Sequence, residues 1–440
     1  MTATKRRIPQ FVIAAPASGA GKTMTARGLM AVLGGDGMSV QPFKCGPDYI
    51  DPKFHTAVCG RESVNIDLFM AGKDHARALY ARYSSGADAC VVEGMMGMFD
   101  GYDAAHGSTA EIAAALELPV VLVVDARSTA YSLAPLLFGF MRFDNAVSIA
   151  GVIFNMVGSA RHERMLSQVC RDVGLECFGY IPKEEYLSVP SRYLGLDLRS
   201  SANHSPAAIV EKHVDWRRIV EVTMRDAPDG TGTNAAAVRR ATRLPGSIVV
   251  AKGDEAFAFV YRETMDVLRL LGEVRTMNPV IDELLPSDTS LLYLPGGYPE
   301  NVAGSLSAAR SFRLSVRDYA LSGGRILAEC GGMMYLCRTI ITDEGEYEMA
   351  DVLPYDVSAR QSDRHLSLGY RQFAWNGQNV RGHEFHYSQF RAPAPASDVL
   401  VRDAAGNETN TAVMRRGNVV AGYTHLYLGG IDVIKLFERK

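Results

Sequence analysis

The stretch Gln10–Thr25, QFVIAAPASGAGKTMT, decides the fold of the first half of the chain. A short apolar run meets Pro16, glycines, a lysine and a threonine, and a helix-compatible run follows, which is the order strand, phosphate-binding loop, helix. Backbone N–H groups and the helix N-terminus of such a loop bind phosphate oxygens. The full P-loop pattern has glycine where this chain has Pro16, and the alternative is a glycine-rich turn. The context favours a nucleotide-binding loop.

The residues expected to contact ATP in this loop are Gly19, Ala20, Gly21, Lys22 and Thr23. Lys22 adds a positive charge for the phosphates, and the hydroxyl of Thr23 can ligate Mg²⁺. The loop therefore predicts ATP and Mg²⁺, but it does not say how the phosphoryl group is used.

Strands and helical stretches alternate after the loop, which predicts a doubly wound α/β domain with a parallel sheet. Leu118–Asp125 and Ile149–Asn155 are apolar runs of the kind that a parallel sheet buries on both faces. Chemistry in such sheets gathers at the carboxyl ends of the strands. We expect KCGPDYIDPKFH (44–55), EGMMGMFDG (93–101) and Asn155 to meet there.

Length and composition indicate how many domains the chain has and exclude several classes of function. The 440 residues predict an ATP-binding domain over 1–224, a polar linker over 225–246 and a second α/β domain over 247–440. The net charge of −3 gives no basic surface for nucleic acid. The seven cysteines include no CxxC pair, and no segment approaches the ~20 apolar residues of a membrane span. With no signal peptide in view, we expect a cytoplasmic protein that binds neither nucleic acid nor membrane.

The second domain contains a candidate nucleophile, Cys330, between a predicted strand (RILAE, 325–329) and a predicted helix (MMYLCRTI, 333–340). A tight turn of this kind exposes a thiol and places backbone N–H groups beside it, so Gly331 and Gly297 are candidate oxyanion-hole donors. His425, which follows a later strand, is a candidate base. The alternatives are a buried structural cysteine and a core histidine, and we interpret Cys337 as structural.

Seven motifs resemble one known family, in the family's order and over nearly the whole chain. Three are similar to the glutamine amidotransferase domain of the cobyrinic acid a,c-diamide synthase and cobyric acid synthase group: LPGGYPE (294–300), AECGGMMYL (328–336) and YTHLY (423–427). Four more resemble the a,c-diamide synthases: GPDYIDP (46–52), EGMMGMFDG (93–101), GSARH (158–162) and RGHEFHYS (381–388).

The resemblance implies an ATP-dependent domain related to dethiobiotin synthetase followed by a class I glutamine amidotransferase domain. The implied reaction amidates the a and c acetate carboxylates of cobyrinic acid, in cobalamin biosynthesis. ATP would convert each carboxylate to an acyl phosphate, and ammonia from glutamine would displace the phosphate. Cys330 would form a γ-glutamyl thioester while His425 moves the protons. The implied partners are a corrinoid of the cobyrinic acid type, ATP and glutamine, and a homodimer is a further expectation.

The resemblance also assigns roles in the first domain. It implies that Mg²⁺ is held by Thr23, Asp48 and Glu93, that the substrate carboxylates are placed by Tyr49, Asp51 and Asp100, and that Asn155 reads adenine. The alternatives are a helix cap or turn for Asp51 and Asp100, and a turn after a strand for Asn155.

Common class I amidotransferases have Glu two residues after the catalytic His, where this chain has Tyr427. That difference matches the dyad-type subgroup and leaves the group that orients His425 open. His383 and His386 bracket Glu384, but RGHEFHYS favours a strand that would put the two rings on opposite faces, so we expect packing and not metal ligation.

Three other functions stay open. The same reaction on hydrogenobyrinic acid or nickel sirohydrochlorin differs at a ring centre far from the carboxylates. An ATPase switch of the chromosome-partitioning type shares the P-loop fold, but those proteins carry a Lys where this chain has Ala17. A scaffold with a dead glutaminase domain is disfavoured because Cys330 and His425 are both present.

Overall fold

The computed structural model describes residues 6–185, 205–228, 243–253 and 256–438. The chain divides into two compact units, Met1–Asn234 and Ala235–Lys440. Most of the predicted linker, residues 229–242, lies outside the described residues. Within those residues, no helix has both the length and the apolar character needed to cross a membrane.

The first unit alternates strands with helices. Its strands are β1 Arg7–Ala14, β2 Val40–Cys45, β3 Val64–Ile66, β4 Ala89–Glu93, β5 Val120–Asp125, β6 Ile149–Val157, β7 Cys177–Pro182 and β8 Met224–Asp226. Its helices are α1 Lys22–Gly35, α2 Asp51–Cys59, α3 Lys73–Ser84, α4 Thr109–Leu116, α5 Leu133–Arg142, α6 Ala160–Val173, α7 Pro206–His213 and α8 Trp216–Val222.

The sheet of the first unit has the strand order β3-β2-β4-β1-β5-β6-β7, and all of these pairs are parallel. The order is not sequential, so β1 lies between β4 and β5, and the loop after β1 lies beside the carboxyl end of β4. Burial explains the apolar runs, because every residue of β4 and nearly every residue of β5 is buried. The predicted doubly wound α/β fold is confirmed.

One strand differs from the sequence-based boundaries. Arg225 and Asp226, the first two residues of the predicted linker, belong to β8, which pairs antiparallel with the start of β1. The short, polar character of this edge strand hides it from a pattern search, since pairing with β1 and not local hydrophobicity holds it.

The second unit contains a six-stranded sheet and two smaller sheets. Its strands are β9 Ser247–Ala251, β10 Val274–Met277, β11 Thr289–Leu294, β12 Ile326–Glu329, β13 Thr339–Ile341, β14 Glu346–Glu348, β15 Asp356–Ser358, β16 Ser367–Trp375, β17 Gln378–His386, β18 Gln389–Phe390, β19 Val413–Arg416, β20 Val419–Gly422 and β21 His425–Leu426. Its helices are α9 Arg262–Leu271, α10 Ala303–Ala308, α11 Arg310–Leu321 and α12 Gly331–Leu336.

The large sheet of the second unit has the order β10-β9-β11-β12-β20-β19, parallel except for the last pair. A three-stranded antiparallel sheet, β16-β17-β21, joins His383 to His425 as register partners. The remaining small sheet has the order β14-β13-β15-β18. These arrangements place the ends of β11, β12 and β20 side by side at one edge of the large sheet.

Candidate active sites

The predicted phosphate-binding loop lies between β1 and α1. Gly21 precedes α1 with a φ of 101°, a backbone conformation that side chains disfavour. A Cβ at this position would lie 2.2 Å from Nδ2 of Asn155. Both the conformation and the close approach therefore require glycine at position 21.

Asn155 is fully buried in β6 and its side chain contacts this loop. Its Nδ2 donates a hydrogen bond to the carbonyl oxygen of Ala20 at 2.9 Å, and its Oδ1 accepts one from the backbone N–H of Met156 at 2.9 Å. Both polar ends of the side chain are thus bonded within the chain. These contacts hold the loop in place, and adenine recognition by Asn155 stays a prediction.

Glu93 ends β4 and points toward the loop, as its strand-end position indicates. The hydroxyl of Thr23 donates to its Oε1 at 2.6 Å. A hydroxyl and a carboxylate are hard oxygen ligands, and Mg²⁺ beside a nucleotide commonly takes only one or two protein oxygens together with phosphates and water. The pair therefore fits Mg²⁺, although the described residues contain no cluster of three His, Cys, Asp or Glu side chains suited to a metal.

Lys44 and His55 complete this cluster, and the sequence did not single them out. Nζ of Lys44 lies 3.0 Å from Oε1 of Glu93 and 2.6 Å from Oδ2 of Asp51. Nε2 of His55 lies 2.6 Å from Oε2 of Glu93, and both of these side chains are fully buried. The available signal was a lysine near the end of a buried strand, two residues before GPDYIDP.

Burial and neighbouring charges set the protonation of the cluster. Burial alone would raise the pKa of Glu93, but Lys44 and a hydrogen bond from His55 lower it below its usual range, so Glu93 is ionised. Burial and then the charge of Glu93 raise the pKa of Asp51 to about 7. Burial and then Lys44 lower the pKa of Lys22 to about 8. The ammonium of Lys44 therefore lies among carboxylates, with Glu93 and Asp51 in contact with it.

The remaining predicted residues of the first unit lie in two loops. Asp48 accepts hydrogen bonds from the N–H groups of Ile50 and Asp51 with the same oxygen, Oδ1, at 2.8 and 3.0 Å, so it closes the turn before α2. Its other oxygen lies 3.8 Å from Nζ of Lys44. Tyr49 is partly buried beside it. The roles of Asp48 in binding Mg²⁺ and of Tyr49 in binding substrate stay predictions.

Asp100 is exposed and accepts a hydrogen bond from the N–H of Gly97 at 2.9 Å. This contact matches the alternative of a turn residue. Nζ of Lys22 donates to the carbonyl oxygen of Met96 in the same segment, so the phosphate-binding loop and EGMMGMFDG are in contact. A substrate-binding role for Asp100 stays a prediction.

Cys330 occupies a strained turn at the end of β12. Its φ of 47° is rare for a residue with a side chain, and α12 begins at the next residue. The backbone N–H of Cys330 donates to the carbonyl oxygen of Gly422 at 2.7 Å, which fixes the turn against β20. This is the backbone geometry of a nucleophile on a strand-to-helix turn. The expected exposure of the thiol is wrong, since Cys330 is only 4% exposed and β17 lies beside its sulfur.

The glycine loop after β11 contacts both sides of this site. A Cβ at Gly296 would lie 2.1 Å from Cε1 of the His425 ring, and a Cβ at Gly331 would lie 3.0 Å from the backbone nitrogen of Gly297. The loop therefore packs against the imidazole and against the turn of the thiol. The structure brings Cys330, His425, Gly297 and Gly331 to one place.

Burial keeps the thiol and the imidazole uncharged. It raises the pKa of Cys330 far above its usual range, and the charge of Glu300 adds to the shift. Burial, followed by the neighbouring His383 and His386, lowers the pKa of His425 to about 3. The resting pair is consequently a neutral thiol and a neutral imidazole, and a proton must move when the thiol attacks.

RGHEFHYS forms much of β17 and lies beside the thiol, with the carbonyl oxygen of Phe385 at 4.0 Å from Sγ of Cys330. The predicted strand is confirmed. Nε2 of His386 lies 2.8 Å from Oε1 of Glu384, and the His386 ring stacks on Tyr423 with a centroid distance of 3.6 Å. This motif therefore forms one wall of the site.

Tyr427 stands where a triad would have its acid, and its hydroxyl donates to Glu263 of α9. Glu263 is buried, and its carboxylate is the group that a Cβ at Gly429 would touch. An acid is thus present on this side of the site, but it comes from a different element and is bonded to a phenol.

Two family models match the chain. The model of the CobQ/CobB/MinD/ParA nucleotide binding domain matches residues 11–194, and that of the CobB/CobQ-like glutamine amidotransferase domain matches residues 247–432. The first description includes MinD and ParA, so it does not by itself separate an amidating enzyme from an ATPase switch. The match to a glutamine amidotransferase domain favours the amidating enzyme over the ATPase switch.

Curated relatives match over most of the chain. The hydrogenobyrinate a,c-diamide synthases of Mycobacterium bovis and Brucella anthropi are 39% and 38% identical, covering 86% and 94% of this chain and 86% and 98% of their own. The cobyrinate a,c-diamide synthase of Gloeobacter violaceus is 39% identical, covering 95% of this chain and 94% of its own. This chain therefore belongs to the a,c-diamide synthase family of glutamine-dependent, amide-forming enzymes.

Proposed function

We propose that the protein amidates the a and c acetate carboxylates of a cobyrinic-acid-type corrinoid, with ATP to activate each carboxylate and glutamine to supply ammonia. The names of the relatives support a macrocycle of this type, which is either the cobalt-containing cobyrinate or the metal-free hydrogenobyrinate. Nickel sirohydrochlorin, the third macrocycle considered, does not appear in those names. Product masses from the purified enzyme with each macrocycle would decide among them.

The first unit would carry out activation. A substrate carboxylate oxygen attacks the γ-phosphorus of ATP, giving ADP and an acyl phosphate, and ammonia then displaces the phosphate to leave the amide. Backbone N–H groups of the loop around Gly21 and the ammonium of Lys22 would hold the phosphates. Thr23 and Glu93, with Asp48 as a further candidate, would hold Mg²⁺, which neutralises phosphate charge when bound. Asp51 and Tyr49 would face the substrate.

The second unit would release the ammonia. Sγ of Cys330 attacks the side-chain amide carbon of glutamine as its proton passes to His425, and backbone N–H groups of Gly297 and Gly331 stabilise the oxyanion. His425 returns the proton to the leaving nitrogen, ammonia departs, and water hydrolyses the thioester to glutamate. The cycle starts from the neutral thiol and neutral imidazole of the resting site and returns to them when the thioester is hydrolysed.

The observation that carries the proposal is the strained turn at Cys330, which lies against the glycine loop that also contacts His425. A structural cysteine needs neither a positive φ nor a histidine packed on a neighbouring glycine. With a nucleotide-type loop in the same chain, a thiol of this kind is best explained by glutamine hydrolysis coupled to ATP-dependent amidation.

The deciding experiment is Cys330→Ala in the full chain. We expect release of glutamate from glutamine to fall by a factor on the order of 10³ or more, because the variant has no nucleophile. Synthesis with added ammonium chloride should stay near the wild-type rate, since the acyl phosphate forms in the other unit. Cys337→Ala is the matched control and should keep both activities. An absence of glutamine hydrolysis in the wild type would contradict the proposal.

Two further expectations accompany this function. A cytoplasmic setting is supported by seven cysteines without a CxxC pair. A homodimer stays a prediction, which light scattering of the purified protein would check.

A further inference from the structure

Glu329 is a buried carboxylic acid directly before the nucleophile, and the proposed mechanism gives it no task. It ends β12 with only 2% of its surface exposed. Burying a carboxyl group without partners is costly, so its contacts explain why it is present. Two hydrogen bonds are made to it. The hydroxyl of Tyr293 donates to Oε2 at 2.8 Å, and the backbone N–H of Leu426 donates to Oε1 at 3.1 Å.

These two partners belong to the other two segments of the glutaminase site. Tyr293 lies in β11, three residues before Gly296 of the glycine loop, and Leu426 directly follows His425. Glu329 itself is joined through its backbone to Cys330. One carboxyl group therefore connects the nucleophile, the base and the oxyanion loop, which lie on three different strands.

Strand pairing alone does not connect the strand of His425 to the strand that ends at Cys330. The backbones of β12 and β20 are in register, with Glu329 opposite Gly422. His425 lies beyond the end of β20, in β21, whose backbone pairs with β17 of a different sheet. The bond from Leu426 to Glu329 links β21 back to the strand that carries the nucleophile.

We propose that Glu329 is a positioning residue of the glutaminase site, which holds the Cys330 turn, the His425 strand and the glycine loop in one arrangement. This inference rests on the glutaminase activity proposed above. Glu329 acts through Leu426 and Tyr293, not by exchanging a proton with the imidazole. In a chain that has Tyr427 at the position of a triad acid, Glu329 holds the backbone next to His425 in place.

The chemistry of the site suits an uncharged acid at this position. Burial raises the pKa of Glu329 to about 8. A protonated carboxyl group can still accept from the N–H of Leu426 and share a hydrogen bond with the hydroxyl of Tyr293, while it keeps a full negative charge away from the neighbouring thiol. Glutamine at this position keeps both contacts, because its oxygen can accept from the N–H of Leu426 and its nitrogen can donate to the hydroxyl oxygen of Tyr293, as a protonated carboxyl group would.

The test compares Glu329→Gln with Glu329→Leu in the full chain. Measurements are kcat and KM for glutamine hydrolysis, the rate at which the diazoketone analogue of glutamine alkylates Cys330, and ammonia-dependent synthesis. We expect Glu329→Gln to stay within about threefold of wild type, and Glu329→Leu to lose about 100-fold in kcat and in alkylation rate with KM little changed, since misplacing a reacting group by about 1 Å costs this much. Ammonia-dependent synthesis should be unaffected in both.

Val316→Ala is the matched control for a loss of stability alone. Val316 is fully buried in α11, a helix that carries none of the three segments, and truncating it destabilises the core of the same unit. At equal loss of thermal stability, Val316→Ala should keep wild-type kcat. Equal kcat in Glu329→Leu and Val316→Ala, or an equal loss of kcat in Glu329→Gln and Glu329→Leu, would overturn the proposal.

Tyr293→Phe keeps the test decisive if Glu329→Leu does not fold. It removes one of the two hydrogen bonds and should lower kcat about tenfold with KM unchanged, a loss that matches one hydrogen bond of about 1.4 kcal/mol. A wild-type kcat and alkylation rate in Tyr293→Phe would contradict the positioning role. If the wild type itself hydrolysed no glutamine, the proposed function would fail instead, and the two failures are thus distinguishable.

Discussion

At the scale of single residues, the environment of His425 decides how the base behaves. The ordinary pKa of a histidine, about 6.5, would leave much of it protonated at mildly acidic pH and unable to accept a proton from the thiol. Burial beside His383 and His386 lowers the pKa of His425 to about 3. The base is therefore neutral over the whole physiological range.

We expect kcat/KM for glutamine hydrolysis to stay flat from pH 7.5 down to about pH 5. The reason is that a base with a lowered pKa loses activity only as the pH falls toward that lowered value. The measurement is glutamate release at subsaturating glutamine across this range, with fluorescence checking that the protein remains folded. An acidic limb centred between pH 6 and 7 would show that His425 titrates normally.

At the scale of elements, short loops at the ends of parallel strands position both sites, and glycines make those loops possible. The predicted helix over 333–340 illustrates what a local pattern misses. The helix α12 ends at Leu336, and Thr339–Ile341 forms β13, because these β-branched residues pair with β14 and β15. Cys337 is fully buried at the end of α12, in agreement with its structural interpretation.

Alanine at Gly21 or at Gly296 should separate the two activities. Gly21→Ala forces a Cβ into Asn155 and strains the backbone, so ATP-dependent synthesis should fall about 100-fold or more while glutamine hydrolysis persists. Gly296→Ala forces a Cβ into the His425 ring, so glutamine hydrolysis should fall by a similar factor while ammonia-dependent synthesis persists. Steady-state assays of both reactions check this.

Each of these two variants is the control for the other, and Gly304→Ala is a further control for both. A Cβ at Gly304 in α10 meets only Tyr347 at an ordinary 3.5 Å, and alanine favours a helix, so both activities should be retained. Loss of both activities in Gly21→Ala or in Gly296→Ala would mean that the whole chain is disturbed and would contradict this explanation.

At the scale of the whole molecule, the chain has two tryptophans, and each unit contains one, Trp216 in the first and Trp375 in the second. Both are buried. Unfolding of the second unit can therefore be followed in the full chain by Trp375 fluorescence in a Trp216→Phe background. This makes the pH dependence of that unit measurable.

His383 should make the second unit less stable in acid. Burial, followed by the charge of Arg371, lowers its folded-state pKa to about 4, against about 6.5 unfolded. The unfolded state takes up the proton first, so stability from the neutral ring is complete above pH 6.5 and is lost as the pH falls toward 4. Between pH 7 and pH 5 the loss is about 2 kcal/mol.

The prediction is tested by comparing two variants, because Glu300 and Glu329 change the free energy of unfolding in the opposite direction as the pH falls. Burial raises their pKa values to about 7 and about 8, so they favour the folded state as the pH falls. We expect the free energy of unfolding to drop by about 2 kcal/mol more in the Trp216→Phe chain than in Trp216→Phe with His383→Asn. Identical pH dependence in the two chains would contradict a buried neutral His383.

The sequence by itself determined the local features of this protein. The alternation of apolar runs with helical stretches predicted two α/β units, and short motifs predicted the loop at Gly21, the turn at Cys330 and the family. These features are readable because each depends on residues within a few positions of one another, where backbone conformation and capping are decided.

Only the tertiary structure decided which distant side chains meet. Lys44 reaches Glu93 because β2 and β4 are neighbours, with these two residues as register partners. Glu329 reaches Tyr293 and Leu426 because β11 and β12 are adjacent and β21 lies beyond β20. Strand order in a parallel sheet is set by how the crossovers pack, not by any residue's neighbours in the chain, so no local pattern contains these pairs.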